Sequence, residues 1–397
     1  MNDLFAEITV LSMEQATVLP YLTYRLAAEG MEVIRIEHPE RADPNRFVGS
    51  NVLGEEAMDS YFLPNNAGKK AITLNLGGDE GKAILRDLIL MLDVDIFASN
   101  QLPRNYPKLG IGYEDLRAIK DDIIWMGMTG FGPDSNEAAY DPILQARAGI
   151  MDLTGERDGV PQVFGLPMAD LGASEQGYGQ IMRALYLREA TGEGSRVDIS
   201  MFQSLVSWEV NPIMLTKSFG ATITRRGNTH EFFAPVSVYE TADGYVYIAV
   251  GNDRQWQAMA ELSGFESLHR EERKTNAGRI ADVERLNEEI NEITRARSTE
   301  DLIKLFRSIT VPISTVSRIE DVIEDPLIKD KMITAKDPRT GTEVFLPPTP
   351  VTTPYLKSCG MRLSFPPRVG EHNEEIYGGV LGYDRKRIRG LKEAGVI

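Results

Sequence analysis

Ile8-Thr-Val-Leu-Ser12, residues 14–29 and Glu32-Val-Ile-Arg-Ile-Glu37 together decide the fold. The two short runs rich in β-branched residues read as strands, and the segment between them has the length and apolar spacing of a helix. The same alternation continues outward. Ala71-Ile-Thr-Leu-Asn75, Asp93-Val-Asp-Ile-Phe97 and Asp122-Ile-Ile-Trp-Met126 read as further strands, with a helix over 79–92. Short apolar strands separated by helices of this length indicate an α/β chain built on a mostly parallel, Rossmann-like sheet covered on both faces.

Further along, Tyr178, Ile181, Met182, Leu185 and Tyr186 form one stripe at helical spacing, read as core packing. That helix ends at Thr191-Gly-Glu-Gly194, and Arg196-Val-Asp-Ile-Ser200 is a sixth strand. A helical stretch over 201–220 then leads to a section of different character. Val236-Ser-Val-Tyr-Glu240 and Tyr245-Val-Tyr-Ile-Ala-Val250 flank the turn Thr241-Ala-Asp-Gly244, a hairpin signal. Helical patterns at 253–263, 280–296 and 299–308 and a strand at Val311-Pro-Ile-Ser-Thr315 complete a smaller α+β domain. Residues 334–372, rich in proline and threonine, read as an extended return segment before a last helix at 383–394.

Composition narrows the function classes. The chain has 397 residues, enough for two or three domains, and its 42% hydrophobic and 26% charged content is ordinary for a soluble globular protein. A net charge of -16 argues against nucleic-acid binding, which needs a basic face, and an anionic ligand would need a local basic pocket. No apolar stretch approaches the roughly 20 residues of a membrane helix, and Met1-Asn-Asp-Leu-Phe-Ala-Glu7 is no secretory signal. The single cysteine, Cys359, fits a reducing cytoplasm. Four scattered histidines (His38, His230, His269, His372) offer no zinc spacing.

One loop stands out chemically: Phe164-Gly-Leu-Pro-Met-Ala-Asp-Leu-Gly172, running into the long helix. Asp170 has apolar and glycine neighbours, at a helix N-terminus whose partial positive charge should keep it ionised without a cation. An ionised carboxylate in a partly dry loop is a candidate nucleophile, and Gly172 would let substrate approach closely. The bland reading is that Asp170 simply caps the helix. Other motifs lead nowhere: Gly110-Ile-Gly112 lacks the third glycine of a dinucleotide loop, and there is no Gly-x-Ser-x-Gly elbow or phosphate loop. Lys69-Lys70, Arg104 and Lys108 lie next to strands, where they could share an anion pocket.

A set of short motifs runs in order along the chain. It comprises Val10-Leu11 with Pro20; Gly30-Met-Glu-Val-Ile-Arg-Ile-Glu-His-Pro39; Asn66-Ala-Gly-Lys-Lys-Ala-Ile-Thr-Leu-Asn75; and Leu109-Gly-Ile-Gly-Tyr-Glu-Asp-Leu116. Met128-Thr-Gly-Phe-Gly-Pro133, Tyr140-Asp141, Gln145-Ala146, Thr154-Gly155, the Asp170 loop and Val197-Asp-Ile-Ser200 follow. Arg226-Gly-Asn228, Gly251-Asn-Asp-Arg-Gln-Trp256, Thr275-Asn276 with Arg279, and Gly370-Glu-His372 extend it. In this order they resemble the family III CoA-transferases, the group of formyl-CoA transferase and carnitine CoA-transferase. The opening Glu14-Gln-Ala-Thr-Val-Leu-Pro20 is similar to the succinyl-CoA:benzylsuccinate CoA-transferase branch.

The resemblance implies that Asp170 is a covalent nucleophile, passing through an aspartyl anhydride and an aspartyl-CoA thioester, with nearby backbone N–H groups stabilising each oxyanion. It implies no metal or redox cofactor, coenzyme A being the substrate carrier, with an acyl-CoA (succinyl-CoA the expected donor) and a carboxylic acid as substrates. Carried over residue by residue, the CoA contacts are Thr17, Val18, His38, Leu74, Asn100, Gln101, Leu102, Arg104, Lys108, Ala138 and Tyr140. Here the family's Asn-Phe-Arg-Pro-Gly run is Asn100-Gln-Leu-Pro-Arg104, and the basic residue two before Tyr140 is Ala138. These departures put the phosphate contacts and the acceptor in question, and the missing Gly-rich loop argues against oxalate. The family's architecture implies a large domain from 1–200 and 366–397, linkers at 201–224 and 331–365, and a small domain over 225–330. It also implies an interlocked dimer, either a homodimer or a heteromer with a paralogous subunit. Two alternatives remain at this point. An α-methylacyl-CoA racemase of the same fold would need a histidine where Tyr140 stands. A CoA-binding partner subunit would need no nucleophile.

Overall fold

A computed structural model describes residues 4–397. The six expected strands are present as β1 (Thr9–Met13), β2 (Glu32–Glu37), β3 (Lys69–Thr73), β4 (Ile96–Ser99), β5 (Ile124–Thr129) and β6 (Ser195–Ser200). They form one sheet in the order β3-β2-β1-β4-β5-β6, every neighbouring pair parallel. The chain builds outward from β1 to β3, then returns to lay β4 on the other side of β1. The sheet order therefore reverses between β1 and β4, and loops leaving those two carboxyl ends diverge to open a crevice.

Alternating side chains divide the core into two layers. Val10, Val33, Ile96, Ala98, Ile124, Met126 and Met128 face one side with the helices Val18–Ala28 and Met168–Thr191. Leu11, Ile34, Ile36, Phe97 and Trp125 face the other, under helix Asp79–Met91 and the C-terminal helix Arg385–Glu393. Within the helical stripe, Ile181 is buried and Tyr178, Met182 and Leu185 pack against it, but Tyr186 is 74% exposed. The helix instead approaches the sheet through small residues: a Cβ on Gly177 would stand 2.8 Å from the Met128 methyl.

Three expectations are corrected. The first helix begins at Val18 rather than residue 14, since Ala16 takes a left-handed backbone (φ 62) and Glu14 turns into the core. The 201–220 stretch is two helices, Met201–Val206 and Val210–Phe219, because Pro212 cannot follow residue 208 in a continuous helix. The return segment carries a sheet of its own. There β10 (Ile333–Lys336) pairs antiparallel with β11 (Glu343–Leu346) and parallel with β12 (Arg362–Ser364). Ile333, Ala335, Leu346 and Leu363 bury themselves with Tyr24 and Phe62. Strands of three or four residues are too short for a period-2 pattern to emerge from sequence.

The chain divides into two compact units, the first running to Ile150 and including Val163–Ala221 and Asp330–Ile397. The second comprises Met151–Gln162 and Thr222–Lys329. Its sheet is antiparallel, β7 (Val236–Glu240), β8 (Tyr245–Ala249) and β9 (Ile313–Thr315), with Tyr239, Val246, Ile248, Trp256, Leu286, Ile290 and Phe306 in the core. No helix among the described residues is long and apolar enough to cross a membrane.

Candidate active site

The crevice predicted by the sheet reversal is a cavity of about 560 Å³. Gln15, Thr17 and Val18 line it from the loop after β1, Asn100 to Leu102 from the loop after β4, and Met128 to Gly130 from the end of β5. The walls are completed by Glu137 to Pro142 and by Val163 to Pro167, with Asp170 among the lining residues. The two diverging loops are pinned to each other: Asn100 Nδ2 donates to Gln15 O (2.8 Å) and Gln15 N donates to Asn100 Oδ1 (3.1 Å). A single amide side chain thus bridges the crevice at its root.

Asp170 is the third residue of helix Met168–Thr191, which starts after Pro167 and stops at Gly192 in the left-handed conformation (φ 74). Its carboxylate accepts no hydrogen bond and pairs with no cation among the described residues. Asp170 is not the cap. The N–H groups of this first turn that lack helical partners go instead to Asp141, whose Oδ1 accepts from Ala169 N (2.5 Å) and Asp170 N (3.3 Å). Asp141 is held in turn by Gln145, whose Nε2 donates to Asp141 Oδ2 (2.6 Å) and lies 3.3 Å from Leu166 O. Gln145 Oε1 accepts from Phe164 N (2.9 Å). Two buried side chains therefore fix both the 164–166 loop and the first turn carrying Asp170.

This arrangement overturns two expectations about the loop and narrows a third. The helix N-terminus does not hold Asp170 firmly ionised: burial, then the Asp141 charge, push its pKa up to about 7. The N–H groups of Ala169 and Asp170 are occupied by Asp141, so these two are not available to an oxyanion. Gly172 serves packing rather than substrate, since a Cβ there would meet the Trp208 ring at 2.3 Å. Ser174 ties the helix carrying Asp170 to the pocket wall, its Oγ lying 2.5 Å from Val18 O and 2.7 Å from Asp170 O.

Of the expected CoA contacts, Thr17, Val18, Asn100, Gln101, Leu102, Ala138 and Tyr140 gather around this one cavity with Asp170. The remaining four lie outside its lining. Leu74 is buried in the sheet's other core layer. His38 accepts a hydrogen bond from Glu40 N at Nδ1 (3.1 Å), and burial lowers its pKa. Arg104 and Lys108 are exposed on the turns after β4.

The Lys69-Lys70 pair provides no anion site. Both stand at the amino end of β3, away from the crevice. Lys69 Nζ is buried and bound to Glu14 Oε1 (2.8 Å) and Pro20 O (2.8 Å), while Lys70 pairs with Glu32 and Glu375. Glu14 belongs to a buried ionic network in which Arg35 reaches Asp43 (2.9 Å) and Arg46 grips Glu37. Asp43 Oδ1 then accepts from Ala16 N (3.0 Å), which shapes the pocket loop. Sequence reasoning missed the roles of Asp141 and Gln145. Their four-residue spacing puts them on one helix face, yet nothing local shows that the face meets residue 169.

Comparison with known proteins places this geometry in a family. The profile described as CoA-transferase family III matches residues 5–373. The chain is 34% identical over 385 residues to succinyl-CoA:mesaconate CoA-transferase of Haloarcula marismortui, covering 93% of this chain and 94% of that protein. It is 29% identical over 396 residues to human succinyl-CoA:glutarate CoA-transferase, covering 98% and 89%. Among solved structures, a CAIB/BAIF family protein from Brucella suis superposes with a TM-score of 0.81 at 30% identity, covering 94% of this chain and 98% of that one. A parallel six-stranded sheet, a carboxylate at its switch-point crevice and a match across nearly the whole chain converge: this chain belongs to CoA-transferase family III.

Proposed function

We propose that the protein moves CoA from succinyl-CoA to a carboxylic acid, with Asp170 as the covalent nucleophile. The observation carrying this reading is a half-buried carboxylate, without hydrogen-bond or cation partner among the described residues, lining the crevice at the sheet reversal. An Asp170 oxygen attacks the donor's carbonyl carbon, the C–S bond breaks, and CoA thiolate leaves with the electron pair. The thiolate then attacks Asp170 Cγ in the mixed anhydride, expelling the donor acid and leaving an aspartyl-CoA thioester. The acceptor carboxylate repeats both steps in reverse and departs as its CoA ester. Each step conserves charge between carboxylate and thiolate, so the site needs placement and desolvation rather than a proton donor, a metal or a redox cofactor.

Succinyl-CoA as donor is supported by relatives named succinyl-CoA:mesaconate and succinyl-CoA:glutarate CoA-transferase. For the acceptor, dicarboxylic acids and the aryl-substituted benzylsuccinate class are the panel to assay. The reading includes assembly as an interlocked dimer. In support, helix Val210–Phe219 buries none of its residues and exposes Val210, Ile213, Met214 and Phe219. Light scattering of the purified chain, together with its activity alone, separates homodimer from heteromer. The mechanism is tested by mixing enzyme with succinyl-CoA and no acceptor, quenching, and mapping the peptide spanning 161–183. A CoA-mass adduct on Asp170, absent in Asp170→Asn, is the expected result. Wild-type turnover in Asp170→Ala refutes it.

A further inference from the structure

Helix Met168–Thr191 has two anions at its N-terminus, and they are not equivalent. Asp141 comes from a different helix, Asp141–Ala148, and takes the free N–H groups of Ala169 and Asp170. The partial positive charge that a helix N-terminus offers a carboxylate is thereby neutralised before Asp170 can use it. Asp170 is left beside a second carboxylate, with no cation or hydrogen-bond donor on its own carboxylate among the described residues.

The surrounding elements supply no relief. The loops after β1 and β4 present Gln15, Thr17, Asn100, Gln101 and Asn105, all uncharged. The other ionisable residues of the lining are Glu137, Tyr140 and Tyr61, none of them cationic. One turn along the helix, Glu175 is paired with Arg25. Gln145 holds the Asp141 carboxylate against the helix, through a bond to Oδ2 that leaves Oδ1 on the N–H groups.

We propose that Asp141, clamped by Gln145, is a positioning residue that keeps Asp170 under like-charge repulsion, which the conversion of Asp170 to a neutral acyl derivative relieves. The inference rests on the reading of Asp170 as nucleophile. In the first step the negative charge leaves Asp170 with the CoA thiolate, and in the thioester Asp170 remains neutral. Both covalent forms therefore escape the repulsion that the resting carboxylate bears. Asp141 raises the free energy of the resting enzyme and leaves that of the adducts unchanged, favouring their formation. The raised pKa of Asp170, with Asp141 as its second cause after burial, agrees with this. Protonation and acylation are alike in neutralising the same oxygen pair. The two equilibria must accordingly respond to Asp141 together.

The test is Asp141→Asn, which removes the charge and keeps an acceptor. Two quantities are read: the acid limb of the rate of CoA release from succinyl-CoA, and the fraction of enzyme carrying the aspartyl-CoA adduct at fixed donor above pH 8. The limb is expected to move to lower pH, and the adduct equilibrium constant to fall about ten-fold for each pH unit moved. Asp141→Ser must give the same coupled shift. A uniform loss of rate, with limb and adduct constant unmoved, means that Asp141 only caps the helix and overturns the inference. If the adduct never forms on Asp170 in the wild type, it is the nucleophile reading that fails instead. Should neither variant fold, Asp170→Asn is compared with wild type by thermal unfolding. A higher unfolding temperature at pH 8, closing by pH 5, is the result expected of an uncompensated carboxylate at this site; no difference at pH 8 overturns the inference.

Discussion

The first half-reaction should follow the ionisation of Asp170 through neutrality, unlike a carboxylate with the ordinary value of 3.8. The perturbation is pH alone, from 5 to 9, on the wild-type enzyme. With a pKa of about 7, half the Asp170 carboxylates are charged at pH 7. The charged fraction is about one-tenth at pH 6 and about one-hundredth at pH 5. An ordinary carboxylate would remain more than about nine-tenths ionised across the same window, so its rate would be flat. The assay is a rapid-quench single turnover with succinyl-CoA and no acceptor, following CoA release. The rate constant is expected to climb about ten-fold per unit up to pH 7 and then level off. A flat profile from pH 5 to 8 would refute the electrostatic account of the site. Stability carries the opposite sign. A carboxyl raised in the folded state contributes stability that is complete below pH 3.8 and lost as pH rises through about 7. A rise from 3.8 to about 7 corresponds to at most about 4 kcal/mol, reduced by water reaching the open crevice.

Three further outcomes follow from the geometry. Lys69→Met should lower stability by about 1–3 kcal/mol in chemical denaturation, because the buried Glu14 carboxylate loses its nearest cation and keeps only Arg35 at 3.7 Å and the Ser12 and Thr23 hydroxyls. Gln145→Ala should cost about 1–3 kcal/mol through the freed Phe164 N–H and raise KM, since the 164–166 loop loses its anchor; steady-state kinetics and urea unfolding check both effects. Asn100→Ala removes the bridge between the β1 and β4 loops, so KM for the acyl-CoA should rise with little change in the pH profile.

Legibility differed between elements for physical reasons. The strands β1 to β6 were readable because each carries closely spaced apolar residues within one short local segment, and β2 and β7 match the sequence reading residue for residue. The 333–364 sheet was not readable, since its strands have three or four residues and gain their apolar burial from Tyr24 and Phe62 elsewhere. Lys69 illustrates the same limit for charge. Next to a strand it reads as a free cation, but 55 residues back Glu14 turns inward to take it. Gly172 reads as space for a substrate until Trp208 fills that space.

Asp170 shows where the boundary falls. Sequence by itself determined the parallel α/β sheet, the loop-to-helix position of Asp170 and, through ordered motifs, the family, because each of these is written in contiguous residues. Only the tertiary structure decided that the helix cap comes from Asp141, 28 residues before Ala169, and that Gln145 locks it there. The crevice itself exists because β4 returns beside β1. A carboxylate's pKa depends on burial and on charges brought near it through space, and chain order does not specify either distance. The same aspartate that sequence reads as comfortably ionised is, once folded, a crowded anion titrating near neutrality.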